Sequence, residues 1–431
     1  MVIMSGSLVY ATSAVASPPP TVCASGCAST SIQAAINAAS PGDVITVGPG
    51  SYVEDLVVNK ALTIDGSGAS TILYPAESGP LCASGDGSIC PGGTNMVLIQ
   101  SSNVTIENMR LEGNNPNLTS GVTVGGADID ARNGIIEDYT TGTPYNNTTV
   151  ENVQVSDVYH RGIYMSSGGT NFNVTGDSVS NVQGSPSSIA MFNFGGSGVF
   201  ADNHVTMAND AISANWSTGT SFVDNVISES GSGVHTDNSG EFGSADLIQG
   251  NEVSSCTIDG YGLWVFAQYG AVSVLDNSVV GCSVGLAVFG SQSPGATTTF
   301  AGNNVIGEHA VTSDPTGTYG AFVVTSLVGY GTGDVNAVFT HNRFSSFATG
   351  LYVSQNWTAF GDPGGNQANV TAHLNSIFDN GVGVNGDSGT VVSAESNWWG
   401  CSQGPNTSGG CDSAVGTTTF DPWLTHPGLG G

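Results

Sequence analysis

The sequence predicts an all-β protein, a single-stranded right-handed parallel β-helix of roughly thirteen coils with an N-terminal capping helix. Three observations carry the prediction. One Asn recurs at intervals of 22 to 26 residues, lengthened by loop insertions to 39 and 33 after Asn303 and Asn342; short runs of β-forming residues alternate with Gly, Asn and Ser; and one amphipathic segment near the start has helical spacing.

The repeat is read by aligning VFADNHV, FVDNVI, IQGNEV, VLDNSV and FAGNNV on Asn203, Asn225, Asn251, Asn277 and Asn303, and then FTHNRF, HLNSI and ESNWW on Asn342, Asn375 and Asn397. Asp177 fills the same slot upstream, and Asn108 and Asn152 continue it in altered form. Two residues after the Asn stand Val205, Ile227, Val253, Val279 and Val305; three before it stand Phe200, Phe222, Ile248, Val274 and Phe300. Apolar side chains at fixed phases in every period are what a stack of coils buries against its neighbours. A second run follows in most periods, as in Gly162-Ile163-Tyr164-Met165 and Gly262-Leu263-Trp264-Val265. Such runs, bounded by turn residues and lacking a helical period, are short strands. The Asn column predicts an internal ladder, each amide hydrogen-bonded to its copies above and below, with Asn also suited to a left-handed turn.

A solenoid must be closed at both ends. Thr30 to Ala39 supplies the helix, with Thr30 and Gln33 as a capping box and Ile32, Ala35, Ile36 and Ala39 as its apolar face. At the far end stand Trp398, Trp399 and the segment Thr419 to Leu424. Residues 1–16 read as a secretory signal ending in small residues but without a basic n-region, 17–29 as a linker, 30–424 as the capped β-helix and 425–431 as a tail. Eight cysteines fall into local pairs, Cys23 with Cys27, Cys82 with Cys90, Cys256 with Cys282 and Cys401 with Cys411, without zinc-ligand spacing. Cys256 and Cys282 each follow a ladder Asn by five residues, so they predict a disulfide between adjacent coils.

The stretch SIQAAINAASPGDVITVGPGSYVEDLVVNKALTIDGSG resembles the opening of secreted proteins of the pectin lyase-like superfamily. SNWWGCSQGP followed by TFDPWL is similar to the C-terminal end of many β-helix repeat proteins of bacteria and archaea. The resemblance implies the fold and leaves activity open, because that superfamily holds lyases, esterases, hydrolases, adhesins and non-catalytic surface proteins. The pectinesterase and polygalacturonase motifs of the superfamily are missing, and the scarcity of basic residues counts against its lyases.

A formal charge of -29 with only five Lys and Arg excludes nucleic acid as a partner, since phosphate binding needs many cations. No apolar run reaches the length of a membrane span. The expected chain is therefore a secreted or cell-surface monomer interacting with polysaccharide. The alternatives are a polysaccharide lyase or glycoside hydrolase and a surface-layer or adhesin component. Stacking predicts a polar face built from Arg132, His160, Arg161 and Asp210 as candidate catalytic residues. Asp128, Asp130, Asn209 and, on an overhanging loop, Tyr139 and Tyr145 are the candidate ligand contacts. Acidic residues beside the Asn column, Glu107, Glu151, Asp202, Asp224 and Asp276, form a broken ladder in which Asp202 and Asp224 are the candidate Ca²⁺ ligands. Lys60 reads as a surface lysine. Thr236 reads as a turn residue, tolerant of charge.

Overall fold

A computed structural model describes residues 21–427 apart from 28, 238–242, 258, 267–269, 291–295, 309–317, 328–330, 356–363 and 408. The predicted leader and the last residues of the tail lie outside the described residues.

The chain winds as a right-handed parallel β-helix whose coils visit three sheets in turn. In the first coil the path runs from Val44–Val47 in the first sheet to Gly50–Val53 in the second and Leu56–Val58 in the third, then returns to the first at Thr63–Asp65. The three sheets hold 15, 12 and 13 strands, matching the expected length of the stack. Register is kept by side chain on like side chain. Phe200, Phe222, Ile248, Val274, Phe300 and Phe339 pair in that order in the first sheet, and all are buried. The rings of Phe300 and Phe339 stack 4.6 Å apart.

The Asn ladder forms as predicted. From Asn203 to Asn375 each side chain donates Nδ2 to Oδ1 of the Asn one coil on, at 2.8–3.0 Å. The same Oδ1 accepts the preceding Asn's backbone N–H. The sharp turn is made by the residue before each Asn, which corrects the expectation that the ladder Asn itself turns left-handed. Asp202, Asp224 and Asp276 have φ of 55°, 53° and 54°, and Gly250 has 69°. Gly250 is required for a second reason: a Cβ there would lie 2.1 Å from Asp224 Oδ1. Asn108 and Asn152, with φ of 55°, occupy this turning position, one residue out of the ladder column. Asp177 heads the ladder; its backbone N–H donates to Asn203 Oδ1 at 3.0 Å, while its Oδ2 is buried without a partner.

The helix spans Ile32–Ala38 and buries Ile32, Ala35 and Ile36 over the first coil. Its cap differs from the predicted box. Ser31 is the N-cap, accepting from Ala34 N, and Glu54 from the first coil accepts from Ile32 N and Gln33 N. Gln33 turns instead to the backbone of Val57, because the carboxylate of Glu54 already fills the N-terminus. Lys60 is half-buried and closes the other end, with Nζ on the carbonyls of Ile36, Asn37 and Ala39. At the far end Trp399 is buried, and Phe420 and Trp423 pack against the core. All four predicted disulfides form, and Cys256–Cys282 joins adjacent coils with Cα atoms 4.8 Å apart.

Thr236 overturns its reading as a tolerant turn residue. It ends the strand Ser232–Thr236, points inward in register with Ala214 and Val265, is fully buried, and donates Oγ1 to Asp246. Among the described residues no helix is long and apolar enough to cross a membrane.

Candidate functional site

The third sheet carries the face that the site prediction concerned. Its inward residues Ile135, Ile163, Met191, Ile212, Val234 and Leu263 belong to the core. The residues two before and one after each of these, with a Gly or Ala between the first pair, form two outward columns. One runs Asn133, Arg161, Ile189, Asp210, Ser232 and Tyr261; the other runs Ile136, Tyr164, Phe192, Ser213, His235 and Trp264. Gly262 in this sheet has no side chain because a Cβ would lie 2.5 Å from the carbonyl oxygen of Gly285 in the next coil.

Arg161 and Asp210 share the first column, separated by Ile189, and make no ion pair. Arg161 is buried, with Nε donating to Ser88 Oγ at 3.0 Å and its guanidinium also bonding the carbonyl of Ser187. Its Cζ lies 5.1 Å from the Phe192 ring centre. Burial lowers its pKa to about 10, so it stays charged at neutral pH. Asp210 is half-buried and accepts from Ser232 Oγ at 2.7 Å, and Asn209 beside it donates to the carbonyl of Pro186.

The remaining predicted residues brace loops. Arg132 is 1% exposed and donates to the carbonyls of Pro80, Gly87 and Ser88 and to Asp86, so it holds the loop closed by Cys82 and Cys90. His160 is equally buried; burial, with the charges of Arg161 and Arg132 beside it, pushes its pKa down to about 2 and keeps it neutral. Its Nδ1 lies 3.4 Å from Ser185 Oγ. Asp130 accepts from the backbone N–H of Asn115, and Asp128 from Ser120 Oγ and Gly121 N, within the segment before the strand Ala131–Glu137. Tyr139 does cover the face: its ring lies 6.3 Å from Tyr164 and its hydroxyl accepts from Ile89 N. Tyr145 is buried against Thr141 Oγ1 at 3.0 Å. The loop between them is anchored by Glu137, which accepts from Thr148 and Ser167 and whose pKa burial raises.

Four residues absent from the prediction complete the face. His235 Nε2 is hydrogen-bonded to Ser213 Oγ, its ring lies 4.4 Å from Trp264, and its Nδ1 is buried without a partner. Burial lowers the His235 pKa, so the ring is a neutral base beside a hydroxyl, with Asp210 opposing that shift. Phe194 and Trp216, 42% and 56% exposed, stand at the edge, and Trp216 N donates to Asp237 Oδ1. The signal for this face lay in the runs containing Tyr164 and Trp264, whose third position points outward. From Trp264 the aromatic band continues through Phe266, Phe289, Phe322 and Tyr352.

The acidic residues beside the ladder split into two columns. Glu107 and Glu151 pair in first-sheet strands, whereas Asp202, Asp224 and Asp276 stand one position later in the turn. Gly250 separates Asp224 from Asp276, so Asp202 and Asp224 are the only adjacent carboxylates of that turn column. Calcium takes six to eight oxygens, and no group of three or more His, Cys, Asp or Glu among the described residues is placed to hold a metal ion.

No family model matches this chain. Solved structures similar to it include the catalytic domain of a GH87 alpha-1,3-glucanase in complex with nigerose (14% identical, TM-score 0.55, covering 95% of this chain and 70% of that one). A mannuronan C-5 epimerase A-module of Azotobacter vinelandii is 16% identical with a TM-score of 0.51, covering 92% of this chain and 94% of its own. A periplasmic alginate epimerase is 13% identical with a TM-score of 0.50, covering 82% and 77%. At these identities the likeness is one of fold. In sequence, 129 residues are 30% identical to a cell surface glycoprotein of Methanothermus fervidus. That match covers 30% of this chain, which spans 16% of the curated relative's length.

Proposed function

We propose that this chain is a secreted or cell-surface β-helix protein that binds polysaccharide along the outward face of its third sheet. The observation that carries the reading is the pair of exposed rings at the ends of adjacent strands, Phe194 closing Ile189–Phe194 and Trp216 following Asp210–Asn215, with Phe194 6.3 Å from Phe192, whose ring in turn faces the buried Arg161 guanidinium. Exposed aromatic rings offer apolar faces to sugar C–H groups, and fixed polar groups beside them orient hydroxyls. Four disulfides and the partial likeness to a cell surface glycoprotein support an extracellular setting. The named activities of the structural neighbours, on alginate and on alpha-1,3-glucan, support a glycan as the partner.

The test is affinity electrophoresis and calorimetry against alginate, pectate, alpha-1,3-glucan and other neutral glucans, with the Phe194→Ala/Trp216→Ala double variant as comparison. At least one glycan should bind, and the double variant should lose about tenfold or more in affinity. Equal binding by both proteins removes this face from the reading.

A second reading, a carbohydrate-active enzyme, is favoured by the Ser213–His235 pair, where a neutral imidazole sits within reach of a hydroxyl two coils from Arg161. Absorbance of unsaturated products and release of reducing ends on the same panel would report lyase or hydrolase turnover. Activity lost in His235→Ala with glycan binding retained would support catalysis; absence of turnover on every substrate would leave the binding reading alone.

A further inference from the structure

The five basic side chains of this chain are few enough to account for one by one. Lys60 closes the helix, Arg110 pairs with Glu112, Arg132 pairs with Asp86, and Arg161 bonds Ser88 and the carbonyl of Ser187. Arg343 is different. Among the described residues its guanidinium has no oxygen partner, its Nε is buried without an acceptor, and its Cζ lies 4.9 Å from the Phe378 ring centre. It lines a cavity of about 290 Å³ with Ser376, Phe378, Trp398, Gly400 and Pro427 on the outward face of the second sheet, in the last coils. Two register neighbours hold further unmet hydrogen-bonding atoms. Asn304, paired with Arg343, has a buried Oδ1 without a donor, and Ser345, paired with Phe378 and 2% exposed, has a buried Oγ without a partner.

We propose that this cavity binds a sugar acid through its carboxylate, as a free uronate or a terminal uronate residue. Arg343 is half-buried, its buried Nε lacks an acceptor, and a carboxylate is the group its planar fork matches. In a protein of charge -29 the other four Lys and Arg are matched with oxygen, and Arg343 alone lacks such a partner among the described residues. The Phe378 ring and the Trp398 indole supply apolar faces for the C–H side of a pyranose. Ser376, which also lines the cavity, matches a ring hydroxyl, which both donates and accepts. A simple fatty acid would satisfy Arg343 and leave the Ser376 hydroxyl unmet; a neutral sugar would do the reverse. The site lies on a different sheet from Phe194 and Trp216, so the two proposals stand or fall separately.

Calorimetry and ligand-observed NMR on the full chain with sodium glucuronate and galacturonate, and with glucuronamide, glucose and propionate as controls, test the proposal. The uronates should bind at least about tenfold more tightly than any control, and Arg343→Gln should lose about tenfold or more. Where Arg343→Gln does not fold, as judged by its thermal transition, Arg343→Lys keeps the charge without the fork and should bind several-fold more weakly. The proposal is overturned by uronates that fail to bind the unmodified chain, by propionate binding as tightly as glucuronate, or by folded Arg343 variants that bind uronate as the parent does.

Discussion

The corner that holds the Asn ladder and the outward face of the third sheet are cut from the same coils, yet they obey opposite rules. At the corner each coil repeats its neighbour, and from Asn203 to Asn375 every side-chain amide both donates along the stack and accepts from it. On the third sheet identity changes at each step, from Tyr164 to Phe192, Ser213, His235 and Trp264, and buried atoms such as His160 Nε2, His235 Nδ1 and Trp264 Nε1 go without partners. Repetition satisfies hydrogen bonds because identical groups one strand spacing apart complete one another. Variation gives that up and leaves a surface whose chemistry differs coil by coil, which recognition of a ligand requires.

The comparison breaks most sharply in the core beneath the corner. Phe222→Asp and Ile248→Asp would each bury an unpaired carboxylate in the inward column, and each should lower stability by on the order of 4 kcal/mol or more in denaturant titration. Thr236→Asp belongs in the same class, since it would set a second carboxylate against the buried Asp246. A midpoint for Thr236→Asp close to that of the unmodified chain would show that this strand end faces solvent.

Within the ladder, Asn251→Ala removes the acceptor for Asn225 N and Nδ2 and the donor to Asn277 Oδ1 and the Phe222 carbonyl. The cost should be about 3 kcal/mol, because the partners stay buried and unpaired. Replacement of a third-sheet polar residue such as Ser232 by Ala should cost less than about 1 kcal/mol. Equal losses would mean that the two regions are not built by different rules.

Asp177 is where the ladder's rule fails, and its repair should stabilise the protein. Where Asn203 offers Nδ2 to Asn225 Oδ1 and to the carbonyl of Val174, Asp177 presents an unpartnered Oδ2. Burial raises its carboxyl from 3.8 to about 8. The folded protein therefore keeps a proton that the unfolded chain has released between these two values, and this residue's contribution to stability falls as pH rises from about 4 to about 8. Asp177→Asn supplies the missing donor and should raise stability at pH 8 by on the order of 2 kcal/mol while flattening that slope. A slope unchanged in the variant would assign the pH dependence elsewhere, Asp246 being the next candidate because burial raises it to about 6.

The difference between the regions also explains what the sequence can disclose. A column of like residues is visible as a period, so the Asn positions, the inward Phe222 and Ile248 and the Cys256–Cys282 bridge are all legible in the order of residues alone. The helix is legible but its cap is not, because the capping carboxylate, Glu54, comes from a later strand. Thr236 misleads because the inward parity of a third-sheet strand is set by Val234 two residues earlier, and Asp246, its partner, lies beyond the strand. Arg132 and His160 carry the residue types of a catalytic site, yet the loop closed by Cys82 and Cys90 buries Arg132, His160 is buried beside Ser185, and composition gives no sign of that burial. The face formed by Ser213, His235, Phe194 and Trp216 has no repeat to betray it.

The smallest expected effect on stability is also the one that separates the two regions most cleanly. Trp216, at 56% exposure, contributes little buried surface, so Trp216→Ala should change the unfolding midpoint by less than about 0.5 kcal/mol equivalent. Its backbone N–H on Asp237 is retained in the variant, so the turn it occupies should persist. The same substitution removes the largest exposed ring on the third-sheet face and should weaken glycan binding severalfold, measured by titration of the intact protein with whichever glycan of the panel binds. Ladder substitutions such as Asn251→Ala should do the reverse, lowering stability while leaving affinity unchanged in the fraction that remains folded. If Trp216→Ala destabilised the chain as much as Asn251→Ala did, that ring would be part of the packing, and the third-sheet face would lose its claim to be a surface kept free for a ligand.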